Sequence, residues 1–204
     1  MAETIAGNEH VAVRATPAAA LQRAAEIFLA GEKLDMGALA TDLGVARATL
    51  YRWTGDRDQL LSDVAWLQVK AIVDYLYARH RGHGAATVER AGGELLSILA
   101  DNPSLRSFLE IEGDPGLQLL TAPRGGLRPR LVDAVAQVID SEVEAGNYRP
   151  PAESRKLADG IVALGERFLY HGGDPALNPD PETARLVIGL LLREPCAETG
   201  AVGT

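Results

Sequence analysis

Apolar residues recur at intervals of three and four along most of the chain. No segment alternates convincingly with period two, so the pattern predicts an all-α protein. Thr16-Pro17 reads as an N-cap with proline at the first helical position, and Leu21, Ala24, Ala25 and Phe28 carry that helix to Gly31. Residues 36–53 then give two short amphipathic helices around Gly44. Leu39, Ala40 and Leu43 share one face of the first, Gly44 suits the left-handed geometry that ends it, and Val45 is the expected buried turn residue. Leu50 and Trp53 form the apolar face of the second helix, and the small Ala40 suits a close crossing of the two. Three short helices therefore fill about 17–54.

Asp56 opens a longer helix over about 57–80, with no Gly or Pro before Gly82. Leu61, Val64, Ile72 and Tyr75 fall on one of its faces, and Trp66, Val69, Val73 and Tyr77 on another. Burial on several faces is expected of an element that joins two units and lines a core or cavity. Arg81-Gly82-His83-Gly84 ends it. Helical stretches then alternate with Gly/Pro stops at about 85–100, 103–111, 115–121, 127–146, 152–171 and 181–193. The predicted division is a flexible arm over 1–15, a helix-turn-helix unit over 16–58, a ligand-binding and dimerisation unit over 59–194, and a loose tail over 195–204. A Gly/Pro/Asn loop over 171–180 precedes the last helix.

Two of these elements carry chemistry. The outer face of the helix containing Leu50 presents Arg47, Thr49 and Arg52, an arrangement suited to a helix laid in a DNA major groove. Paired amphipathic helices around a glycine also occur in proteins that never meet DNA; the Arg/Thr/Arg face is what favours DNA here. The run Leu186–Leu192 is apolar all round and has two readings. It is the core of the second unit, or the last two helices form half of a four-helix bundle across a two-fold axis, with Leu164, Phe168, Leu186 and Leu190 in the interface. A dimer would let two recognition helices reach half-sites about one DNA turn apart.

Charge complicates the DNA reading. The chain carries 20 Lys+Arg against 28 Asp+Glu, a net of −8, of which −2 falls in residues 1–60. A DNA binder is expected to show a basic patch, so placement matters more than totals: Arg47, Arg52 and Arg57 sit close together while the acids serve the body. The single cysteine, Cys196, excludes an internal disulfide and a cysteine zinc site. No secretory signal is visible, and the seven-residue apolar run is far short of the ~20 needed to span a bilayer, so a cytoplasmic protein is expected. His10, His80, His83 and His171 show no metal spacing, and no nucleophile motif, P-loop or dinucleotide loop is present, which argues against an enzyme.

The stretch Ala40 through Leu61 resembles the TetR family of one-component transcriptional regulators, with Ala40, Gly44, Val45, Thr49, Leu50, Tyr51, Arg57 and Leu60 at the family's positions. Leu50-Tyr51-Arg52-Trp53 followed by Arg57-Asp58-Gln59-Leu60-Leu61 is similar to the QsdR-like subgroup, regulators found beside lactone-degrading genes. The resemblance implies double-stranded DNA, a second copy of the chain and a small-molecule effector as partners, with no cofactor and no membrane. Arg47 would reach a phosphate or a guanine edge, and Thr49 a phosphate or a thymine methyl. Tyr51 would offer its hydroxyl to the DNA backbone or pack its ring under the helix. Arg52 shares that surface. Arg57 stands where the family usually has lysine and would meet a phosphate at the start of the linking helix. Two departures stand out: Thr54 replaces a usual phenylalanine, with Trp53 supplying bulk, and Ala46 replaces a Ser/Thr cap, at a cost of roughly 1 kcal/mol.

For the effector, the resemblance points to the body without naming a motif. Trp66, Gln68, Tyr75, Phe108, Glu166 and Tyr170 are the candidate pocket residues; Gln68 and Glu166 stand out because each interrupts an apolar neighbourhood. The subgroup implies a fatty-acyl or lactone effector that shifts the linking helix and so releases the operator, for which a coupling of about 1–3 kcal/mol suffices. The alternative is a DNA-binding protein of the same fold without ligand control. A pocket of roughly several hundred Å³ would mark the first, and a solidly packed bundle the second.

Overall fold

The computed structural model describes residues 15–124, 126–170 and 181–194, and among them it contains nine helices and no strand. The expected arm up to residue 14, the 171–180 loop and the tail from 195 lie outside the described residues, as do His10, His171 and Cys196. The first three helices are α1 (Pro17–Leu29), α2 (Met36–Asp42) and α3 (Arg47–Thr54). Thr16 caps α1 by accepting from the Ala19 amide at 3.1 Å, and Asp35 caps α2 through Ala38 at 2.8 Å. The turn into α3 closes at Gly44, whose φ of 65° lies in the left-handed region, and the Val45 amide donates back to the Ala40 carbonyl at 3.0 Å. Ala20, Ala24, Ala25 and Phe28 of α1 are buried with Leu39, Ala40 and Leu50, so the small residues let three short helices share one core. Val45 and Trp53 are half-buried at its edge.

The long helix is α4 (Arg57–His80), capped by the Asp56 carboxylate on the Gln59 amide at 2.8 Å. Its 24 residues span about 36 Å. It touches α1 and α3 at one end and α5, α6 and α7 along the rest, which accounts for buried residues on more than one face. One apolar cluster runs from Ala20 and Phe28 through Leu61, Val64 and Val69 to Phe108, Leu120 and Leu127, joining both sides of position 58.

The body comprises α5 (Ala85–Ala100), α6 (Pro103–Thr121), α7 (Leu127–Glu144), α8 (Ser154–Tyr170) and α9 (Pro181–Leu191). The two pieces expected over 103–111 and 115–121 are the two arms of α6, separated at Gly113, whose φ of 58° and ψ of −140° are not helical. Pro115 follows, lacking the amide that would continue the ladder. Helices α5 and α9 pack closely because glycines lie at the contact. A Cβ on Gly93 would stand 2.9 Å from the Arg185 side chain, and one on Gly189 would stand 2.9 Å from the Glu89 carboxylate. Between α4 and α5 the chain is held by Glu142 of α7, whose buried carboxylate accepts from the amides of Gly82 at 2.8 Å and Gly84 at 2.9 Å. Burial alone would raise this carboxyl, but those amides and Asn147 hold it below the ordinary glutamate range.

The last helix has one face in the core and another exposed. Ala184, Ile188 and Leu192 are buried in the second apolar cluster with Val88, Leu96, Ala158 and Ile161. Leu186 and Leu190, one turn apart on another face, remain 59% and 45% exposed. On α8, Leu164 and Phe168 are half-buried, and Phe168 packs against the same cluster.

Candidate DNA-binding surface and effector cavity

Helix α3 buries Leu50 and Thr54 and turns Arg47, Ala48, Tyr51 and Arg52 outward, with Thr49 half-buried on the shoulder. This outward set follows from a 3.6-residue period fixed by Leu50. Thr54 fills its buried position by donating its hydroxyl to the Leu50 carbonyl at 3.0 Å. Neither Arg47 nor Arg52 makes an ion pair among the described residues. Arg47 reaches back over α2, so that a Cβ on Gly37 would lie 3.8 Å from its guanidinium. Tyr51 is 41% exposed. Ala46, at the N-cap position of α3, supplies no side-chain hydrogen bond.

Arg57 is placed differently from the expectation. Its Nη1 donates to Glu112 Oε2 at 2.9 Å, its Nη2 to Glu112 Oε1, and its Nε to the Leu34 carbonyl at 2.9 Å. The hydrogen bonds to Glu112 hold the guanidinium above its ordinary pKa despite partial burial. Five donors in a rigid fork match a carboxylate and a carbonyl together, so Arg57 is occupied inside the protein. It ties the start of α4 to the loop before α2 and to α6, one residue before the Gly113 kink.

A cavity opens in the body among α4, α5, α6, α7 and α8. Its volume is about 120 Å³, less than the several hundred expected of an effector pocket. Its walls are mainly aliphatic, including Val69, Ile72, Leu95, Leu131, Val162 and Leu169. Space for several waters bounded by so few polar groups suits an apolar occupant better than water. Gln68, Glu166 and Tyr170 line it. Trp66, Tyr75 and Phe108, also expected to line it, do not. Trp66 packs half-buried against the first apolar cluster. Tyr75 lies on the outward side of α4 and is 61% exposed, because Val73 and Leu76 take the inward positions. Phe108 is buried against Phe28, ring centroids 5.5 Å apart, beside a smaller void.

Sequence reasoning missed Phe28, Tyr77, Asn102 and Arg128 as lining residues. Phe28 reads from sequence as core of the first three helices; only the packing of α1 on α4 carries it to the cavity. Asn102 reads as a helix cap, and it is one, accepting from the Leu105 amide at 2.9 Å. Arg128 sits in a run, Leu127-Arg128-Pro129-Arg130, that reads as a solvated helix start and gives no sign of facing inward. Among the described residues no group of three or more His, Cys, Asp or Glu is arranged to hold a metal, and no helix is long and apolar enough to cross a membrane.

A three-helix unit presenting unpaired arginines on its helix-turn-helix, joined by a long helix to an all-helical body with an apolar cavity, has the architecture of a helix-turn-helix transcriptional regulator. The chain belongs to the TetR family, since the tetracyclin repressor-like C-terminal domain matches residues 83–193. It is similar to the transcriptional repressor QsdR of R. erythropolis, a TetR-family protein, at 30% identity over 86% of this chain and 93% of that one, with a TM-score of 0.78. It also shares its fold with the TetR-family repressor AlkX from Dietzia sp. strain DQ12-45-1b, implicated in biodegradation of n-alkanes. There the identity is 20%, the coverage 88% of this chain and 95% of that one, and the TM-score 0.62. No curated protein matches the sequence.

Proposed function

We propose that the protein is a cytoplasmic, homodimeric repressor that binds a palindromic operator and is released by a small apolar effector of fatty-acyl or lactone type. The observation that carries this reading is the cavity: it is apolar, it is lined by α4, and Phe28 of the DNA-binding unit forms part of its wall. Filling it bears directly on both the linking helix and α1. Arg57 supplies a second path, because its bonds to Glu112 and Leu34 make α6 and the loop before α2 move with α4. A differential affinity worth about 1–3 kcal/mol between two arrangements of these elements is enough for control. The exposed Leu186 and Leu190 beside Leu164 and Phe168 support a bundle of α8 and α9 with a second copy. A two-fold axis there would set the two α3 helices at a fixed separation.

Selection from a pool of random DNA duplexes tests the reading. The expected product is an inverted repeat with half-site centres about 34–36 Å apart. A panel of lactones, acyl compounds and aromatics should contain a member that dissociates the selected duplex. No enrichment would overturn DNA recognition. An enriched duplex that no effector releases would favour the alternative, a DNA-binding protein of this fold without ligand control.

A further inference from the structure

The cavity has one polar end, and the chemistry there is more selective than the shape. Among the lining residues only Arg128 and Glu166 carry charge, and they face each other, Arg128 Nε lying 3.1 Å from Glu166 Oε1. Arg128 Nη1 holds Asp159 at 2.8 Å on the opposite, exposed side. Arg128 also lines an outer cleft with Pro123, Pro129 and Lys156, so this end of the cavity is next to solvent. The other charges of that cleft are engaged elsewhere: Arg155 pairs with Asp133, and Lys156 with Glu153 at 3.3 Å.

Two carboxylates already hold the guanidinium, Glu166 on Nε and Asp159 on Nη1, so its single positive charge is more than balanced. A ligand carboxylate would bring a third negative charge to one cation, against a wall that is otherwise apolar. Burial already lifts the Glu166 carboxyl above its ordinary range against the opposing pull of Arg128, so the site has little capacity for further negative charge. One helical turn along α8, the Tyr170 phenol also lines the cavity and makes no hydrogen bond among the described residues. Burial, with Glu166 nearby, holds it protonated, so it can donate to a ligand. Gln68 and Asn102 also line the cavity.

We infer that this end receives the uncharged carbonyl head of an otherwise aliphatic ligand, a carboxamide or a lactone, and discriminates against the free carboxylate of the same chain length. The carbonyl accepts from Tyr170, and an amide N–H donates to the free lone pairs of Glu166. The aliphatic tail occupies the space between α4, α5 and α7. This inference rests on the effector-cavity reading proposed above and adds its head-group selectivity.

Calorimetric titration of the full chain with decanamide, γ-decalactone, decanoate and decylamine at about pH 8 tests it. Decanamide and γ-decalactone should bind at least about tenfold more tightly than decanoate. In Glu166→Gln, Arg128 is released and decanoate should gain about tenfold relative to decanamide. Tyr170→Phe, which keeps the ring, should weaken decanamide about five- to tenfold, with the melting temperature of the free protein serving as a control for folding. Decanoate or decylamine binding as tightly as decanamide to the unaltered chain would overturn the head-group assignment and leave the cavity reading standing. Binding of none of the four would remove both.

Discussion

The outer face of α3 and the start of α4 both carry arginine, and the fold treats them in opposite ways. Arg47 and Arg52 project from α3 with no ion-pair partner among the described residues. Arg57, only five positions beyond Arg52, is held by a carboxylate and a backbone carbonyl. An unpaired surface guanidinium reaches a phosphate at the cost of shedding water and releases counterions as it does so. A bidentate, partly buried one would first have to abandon Glu112 inside the protein. Charge density along the sequence therefore does not measure a DNA footprint. What counts is which cations the fold leaves without partners.

The largest effect expected from this contrast is on DNA affinity. The double substitution Arg47→Ala, Arg52→Ala should weaken binding to the selected operator about 100-fold or more, at about 1–3 kcal/mol for each lost contact, in anisotropy titrations at matched salt. Folding stability should stay within about 0.5 kcal/mol of the parent. Equal affinity in that titration would dissolve the contrast from one side. Arg57→Lys approaches it from the other. It preserves the charge but loses the fork, so urea unfolding should report a loss of about 1–2 kcal/mol. A phosphate-contacting Arg57 would instead tolerate lysine with stability unchanged. The smallest effect belongs to the cap of α3: Ala46→Ser supplies the missing acceptor and should raise stability by about 0.5–1 kcal/mol, a rise in Tm of about 1–4 °C. No change in Tm would mean that the first-turn amides of α3 are already satisfied by water.

Much of the helical layout was legible because its signals are local. Thr16-Pro17, Asp56 and Asn102-Pro103 each mark a helix start where the capping bond forms. Gly44 ends α2 because one residue there must adopt positive φ. The outward set on α3 follows from the period once Leu50 is buried. The cavity was less legible. Helix α4 carries apolar residues on several faces, and periodicity alone does not tell that Gln68 faces the cavity while Tyr75 and Trp66 do not. Which face turns inward was settled by α5 and α7 packing against Val69, Val73 and Leu76. Phe108 was likewise an aromatic on a helix with two apolar neighbours, and Phe28 claimed it.

By itself the sequence determined the elements, the turn geometry of the helix-turn-helix and the residues that α3 shows to solvent. Each of these depends on side chains within about one helical turn, where backbone geometry fixes who is neighbour to whom. Only the tertiary structure decided that Arg57 grips Glu112 fifty-five residues away, that Arg128 closes the polar end of the cavity against Glu166, and that Phe28 reaches the wall from α1. Those partners lie on different helices. Their meeting depends on how whole helices cross, and that is set by the summed packing of the core.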